Sequence, residues 1–221
     1  MSRFPVPAAD AASPFQTEII IRRSRFLTHC AHTPGMEAAR AFVEQIRTRH
    51  ADATHNCWAF VAGPPGHSGQ VGFSDDGEPH GTAGRPMLQV LLHCGVGEIT
   101  MVVTRWFGGV KLGTGGLVRA YSQAVQAGLV RAYQDSVREN LAALPLAEKV
   151  PTVELDVQLD YAHLDRLHRL LPAFEARVSA EAYDQAARVR IRLPEALRGP
   201  FEEALAGRTD GRARCTPVGD A

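Results

Sequence analysis

Between Gly72 and Tyr121 the chain concentrates residue types suited to holding an anion. Gly81-Thr82-Ala83-Gly84-Arg85 leads into one expected helix and Lys111-Leu112-Gly113-Thr114-Gly115-Gly116 into another, with Arg105-Trp106-Phe107-Gly108-Gly109 between them. Glycine lets the backbone turn and lets another group approach closely. Where such a loop feeds a helix, the free N–H groups and the positive dipole end favour negative charge. Arg85, Arg105, Lys111 and Arg119 would add cations, and the planar guanidinium fork matches a phosphate. Trp106, Phe107 and Tyr121 would offer stacking surfaces for bases. The candidate anion- or nucleic-acid-binding residues are therefore Gly81, Thr82, Gly84, Arg85, Arg105, Trp106, Phe107, Gly108, Gly109, Lys111, Gly113, Thr114, Gly115, Gly116 and Arg119. The competing reading is that the glycines only shape tight turns and the aromatics fill a core. The spacing is neither a P-loop nor a dinucleotide fingerprint, so no ATP or NAD cofactor is expected.

Asp75, Asp76, Glu78 and His80 read as an acid/base or hard-cation cluster, or as a solvated turn, since Asp-Asp-Gly is turn chemistry. In the first form, joined to the Gly113–Gly116 loop, they would make a small-molecule enzyme of hydrolase or phosphotransfer type. Cys30 and His32, and His55 and Cys57, are each spaced by two and so share a strand face. Adjacent strands would let these four hold zinc; otherwise they are buried thiols and ordinary imidazoles. No metal is assigned. Ser24 and Ser74 lack a nucleophile elbow, so no catalytic residue is assigned. Arg177, Arg188, Arg190, Arg192 and Arg198 read as a solvated sheet face or as a second RNA contact.

These side chains need elements to hold them. Ile19–Ile21 reads as a strand, with Phe26–Ala31 continuing it or forming its hairpin partner. Thr33-Pro34 opens a helix whose apolar face is Ala39, Phe42, Val43 and Ile46. Cys57–Val61 and Ile99–Thr104 read as strands, Gly63–Gly69 as a loop. A helix opens between Thr82 and Pro86 and runs to about His93. Leu117, Tyr121, Ala124 and Gly128 line the helix after Gly116. Residues 1–16, rich in Ala and Pro, read as a flexible arm, 17–140 as the first domain, 141–148 as a linker and 149–221 as a second domain. In the latter, Val153 to Leu159 alternates as a half-buried strand. A helix through Leu164, Leu167 and Leu171 stops at Pro172. Strands Arg177–Tyr183 and Val189–Leu193 follow, then a helix over Pro194–Ala206 with Gly199-Pro200 as a candidate break, and a short strand near Ala213–Val218. That order, βαββαβ, is ferredoxin-like.

The chain's 221 residues carry 24 basic and 24 acidic side chains, a balance that excludes a general polyanion binder but not a local basic patch. Up to Asn140 there are 13 basic and 11 acidic residues, so a nucleic-acid face belongs in the first part. Four cysteines without a C-x-x-C pair read as reduced thiols. The start Met1-Ser2-Arg3-Phe4-Pro5 shows no secretory h-region, and no run reaches the roughly 20 apolar residues of a membrane span. Together these point to the cytoplasm.

The glycine-rich half-domain also resembles a known family. Gly77-Glu78-Pro79 with Gly81-Thr82-Ala83-Gly84 and Pro86 is similar to the core motif of the IMPACT/YigZ family. Gly97-Glu98-Ile99 through Arg105-Trp106-Phe107-Gly108-Gly109 and Leu112 to Tyr121 resembles its second motif, and Ser24-Arg25-Phe26 its N-terminal one. The likeness spans about Ile19 to Ala132, with the remainder resembling the smaller C-terminal domain of the bacterial branch. It implies an α+β chain, a ribosomal-protein/elongation-factor-domain superfold followed by a ferredoxin-like domain. Eukaryotic relatives regulate translation through protein partners. The expected partners are thus RNA or the ribosome, with a protein partner as the alternative and no membrane.

Overall fold

The computed structural model describes residues 3–129 and 144–218; the end of the expected first domain and the start of the expected linker lie outside the described residues. The chain divides into two compact units, Phe4–Lys149 and Val150–Ala221, the second also taking Met1–Arg3.

The larger unit contains β1 (Phe4–Pro7), β2 (Phe15–Ile21), β3 (Ser24–His32), α1 (Gly35–Arg49), β4 (His55–Val61), β5 (Val71–Ser74), α2 (Gly84–His93), β6 (Ile99–Trp106), α3 (Thr114–Leu129) and β7 (Leu146–Lys149). Five strands form an antiparallel sheet in the order β2-β3-β6-β4-β5. β6 is central and is covered by helices on both faces, so Ile99 through Arg105 are buried without interruption. Ile99, Met101 and Val103 point to the layer of α2 and α3, where they meet Phe26, Met87, Leu91 and Tyr121. Val102 points the other way, to Phe42, Val43 and Ile46 of α1. Those three, with Ala39, recur at helical spacing and form the buried stripe of α1. Each fully buried Phe, Ile or Leu here contributes roughly 1.5–3 kcal/mol.

Three local expectations change. The segment expected as a flexible arm forms β1, paired with β7 in register Phe4↔Lys149, with Phe4 and Val6 buried. Part of the expected linker is therefore a strand, because these apolar side chains bury more surface by pairing than by trailing. β2 begins at Phe15 rather than Ile19. The Thr33 hydroxyl does not cap α1; it bonds Thr100 Oγ1 at 2.6 Å, and the helix starts at Gly35.

The smaller unit contains β8 (Thr152–Leu159), α4 (Leu164–Leu170), β9 (Arg177–Tyr183), β10 (Ala187–Pro194), α5 (Arg198–Arg208) and β11 (Arg214–Pro217). Its sheet order, β11-β8-β10-β9, is the ferredoxin-like arrangement. Leu155, Val157, Val189 and Ile191 pack on Leu167 and Leu170 of α4 and Phe201 and Leu205 of α5. α4 ends just before a short 3-10 turn, Leu171–Phe174, that contains Pro172. Gly199-Pro200 does not break α5. It lies in the first turn, where a missing N–H leaves no bond unmade. Among the described residues no helix is long and apolar enough to cross a membrane.

Candidate anion-binding site

The Gly81–Gly84 loop does gather backbone amides around a negative charge, but the charge is the protein's own. Asp75 Oδ2 accepts the Gly81 N–H at 2.8 Å, and Asp75 Oδ1 accepts those of Ala83 at 3.0 Å and Gly84 at 2.8 Å. Burial works against the Asp75 charge. The three amides outweigh it and hold the carboxyl below the usual carboxylate range. Asp75 is thus the internal cap of α2, and these amides are not presented to an outside phosphate. Gly84 is required by proximity: a Cβ there would lie 2.7 Å from the Ser74 carbonyl. The Thr82 hydroxyl is likewise turned inward, to Pro79 O at 2.6 Å.

Arg105 is also removed from the candidate surface. It is 5 % exposed, and Nη1 donates to Glu78 Oε1 at 2.5 Å. Glu78 Oε1 also accepts the Tyr121 hydroxyl at 2.8 Å, and Arg105 Nη2 donates to Ser24 Oγ at 3.3 Å. Cys57 Sγ reaches the carbonyl of Asp75 at 3.0 Å and the Tyr121 hydroxyl at 3.3 Å. Burial, foremost among several causes, pushes the Cys57 thiol and the Tyr121 phenol well above their ordinary values, so both stay protonated. His55 Nδ1 donates to Asp76 O at 2.8 Å, leaving Nε2 3.8 Å from Glu78 Oε2. This buried network joins α3, β3, β4, β6 and the 75–80 turn. The turn imagined as an acid/base cluster therefore has its Asp75 and Glu78 carboxylates engaged internally.

The zinc arrangement fails on topology. β6 lies between β3 and β4, so Cys30 and His32 are not beside His55 and Cys57. Cys30 pairs with Met101 and Cys57 with Val103. The arginine face in the smaller unit is partly neutralised across strands: Arg190 meets Asp156 at 2.8 Å and Arg192 meets Glu154 at 2.7 Å. Arg198 is not on that sheet but in α5, paired with Glu202.

What remains together is the surface around α3. Trp106 is not part of it: alternation along β6 puts its half-buried ring on the α1 side with Val102, where the Arg25 guanidinium lies 4.4 Å from the ring centre and Nε1 donates to Asp52 at 2.9 Å. Phe107 is 47 % exposed. Gly108 packs under the β2–β3 turn, and its N–H reaches Ser24 Oγ at 3.2 Å. Gly109 and Gly113 take positive φ, and Thr114, Gly115 and Gly116 form the first turn of α3. A cavity of about 300 Å³ opens beside that turn, lined by Ile21, Arg22, Leu112, Gly116, Arg119, Ala120 and Gln123. Lys111 adjoins it in sequence. Arg85 does not. With Gly81, Pro86, Gln89, Val90, Val118, Ser122 and Gln126 it lines a separate groove of about 470 Å³ on the other side of α3.

Arg22 and Arg23 are the residues that sequence reasoning missed. Ile21 pairs with Ser24, so the two arginines are the whole loop of a hairpin. Both have positive φ, 45° and 69°, the type I′ geometry that normally selects Asn-Gly. A two-residue gap between apolar runs was the available signal, but Arg-Arg carries no turn chemistry. Among the described residues, Arg22, Arg23, Lys111 and Arg119 make no ion pair with a carboxylate.

Comparison with known proteins adds a second line. Residues 22–129 match the family described as the Impact N-terminal domain, and residues 157–212 match a domain of unknown function, DUF1949. The chain is 44% identical over 195 residues to the IMPACT family member YigZ of Escherichia coli, covering 88% of this chain and 90% of that protein. It is 39% identical to an IMPACT family member of Haemophilus influenzae, covering 96% and 95%. A crystal structure of a hypothetical protein superposes with a TM-score of 0.67 at 41% identity, covering 100% of both chains.

Proposed function

The chain belongs to the IMPACT family, and on that premise we propose that it is a non-enzymatic, cytoplasmic binding protein of the translation apparatus that contacts the phosphates of structured RNA or the ribosome. The observation that carries this reading is the convergence of Arg22 and Arg119, without carboxylate partners among the described residues, on one cavity at the start of α3. Arg23 and Lys111 extend the cationic rim. Contacts of this kind position a protein on RNA without reading its sequence.

The test is co-sedimentation with ribosomes and binding to a structured RNA at two salt concentrations. The wild-type protein binds at low salt and weakens as salt rises. The Arg22→Ala, Arg119→Ala pair binds more weakly, with a salt slope reduced by roughly 0.7–0.9 per phosphate contact removed. Absence of binding by the folded protein at low salt overturns the reading. Arg105→Ala is unsuitable for this purpose, since Arg105 is buried.

A protein partner is the second reading, favoured by the exposure of Phe107 and of Val110 at 37 %. Ribosome binding that is insensitive to salt and lost in Phe107→Ser would favour it.

A further inference from the structure

We infer that the cavity beside the first turn of α3 receives one unstacked nucleotide, so that the protein prefers single-stranded RNA to a duplex. This rests on the binding role proposed above and goes beyond it, because phosphate contact alone carries no strand preference.

The walls are of three chemical kinds. Arg22 and Arg119 supply guanidinium groups suited to a phosphate. Ile21 and Leu112 supply half-buried apolar surface, and Gln123 a side-chain amide with both donor and acceptor. The backbone of a duplex offers such a surface phosphate and sugar, which would engage the arginines and leave the apolar wall uncovered. A splayed nucleotide offers a phosphate, a flat face and a hydrogen-bonding edge together. About 300 Å³ lies at the lower end of ligand-pocket volumes, which suits a single nucleotide rather than a stacked pair.

The hairpin provides an independent observation. Arg22 and Arg23 both hold the left-handed conformation, which is strained for a side-chain-bearing residue. Strain of this type persists where the surrounding structure enforces it, and it clusters at functional sites. An Asn-Gly loop would close the same turn with less strain but would remove both guanidiniums. Gly108 fits against the turn so closely that a Cβ would stand 2.0 Å from the Arg23 carbonyl carbon. The turn is therefore held in place from below while its charged tips face outward.

The experiment compares the wild-type protein with Arg22→Asn/Arg23→Gly and with Arg119→Ala. Each is measured for thermal melting and for binding to a short single-stranded RNA, to the same strand annealed into a duplex, and to a nucleoside monophosphate as competitor. The wild type binds the single strand about tenfold or more tightly than the duplex, since a base face that takes the Ile21 and Leu112 surface out of water contributes on that order. The monophosphate competes for the single strand. The double variant melts several degrees higher yet binds the single strand about tenfold more weakly. Equal affinity for duplex and single strand overturns the inference while leaving the broader function intact. So does a double variant that melts lower or binds as the wild type does. Failure of the wild type to bind any RNA overturns both.

Discussion

The Asp75 carboxylate and the Gly84 amide lie 2.8 Å apart, closing the N-terminus of α2 from within the chain. Hydrogen bonds to a charged group contribute about 1.5–3 kcal/mol. Asp75→Ala is therefore expected to destabilise the larger unit by about 2–3 kcal/mol in urea unfolding. An emptied nest should then accept an outside anion, so sulfate should restore part of the loss in Asp75→Ala and have less effect on the wild type. The lowered carboxyl also predicts a sign with pH. Its contribution is complete above the unfolded carboxylate value and is lost as pH falls through the folded one.

The Glu78–Arg105 pair is buried, so removing one partner leaves an uncompensated charge. Arg105→Met is expected to cost about 3–5 kcal/mol in stability. Adding Glu78→Gln removes the stranded carboxylate and should recover a substantial part of that loss. A double-mutant cycle by denaturant unfolding checks it. Losses that simply add would show that the two side chains are not coupled.

The contrast between these two sites explains how far the sequence could be read. The α1 stripe of Ala39, Phe42, Val43 and Ile46 and the alternation of Leu155, Val157 and Leu159 were legible because one-sided burial imprints its period on the residues. β6 has no visible period because the central strand is buried on both faces. At Gly81–Gly84 the amide nest was legible but its occupant was not, since nothing local links Asp75 to amides six to nine residues on. Arg105 looked like a surface cation because its partner Glu78 lies 27 residues away, and only the fold brings the two together. Arg22 and Arg23 were invisible for the opposite reason: the turn they make is one that their residue types disfavour.

His29 predicts a pH-dependent loss of stability. Burial, then the neighbouring His50 and Arg49, lower its pKa from 6.5 to about 4. Its Nε2 lies 3.3 Å from His50 Nε2, while the buried Nδ1 has no partner among the described residues. Between these two values the unfolded chain binds the extra proton and the folded one does not. Stability is therefore full above 6.5 and falls as pH drops toward 4, by about 3 kcal/mol. Unfolding at a series of pH values measures the slope, and His29→Gln should flatten it in that window. An unchanged slope in His29→Gln would assign the effect to other groups.

Gly108 connects the buried network to the cationic rim. Its amide shares Ser24 Oγ with Arg105, and its α-carbon abuts the Arg23 backbone. Gly108→Ala would place a Cβ 2.0 Å from backbone atoms that cannot rotate away, so the 22–23 turn or the 107–109 loop must shift. Such overpacking costs about 1–3 kcal/mol. The displacement should also draw Arg22 and Arg119 out of register, weakening the RNA binding proposed above beyond what the stability loss explains. Binding measured well below the melting temperature separates the two effects. A folded Gly108→Ala protein with wild-type affinity would mean that the arginines do not depend on the turn's position.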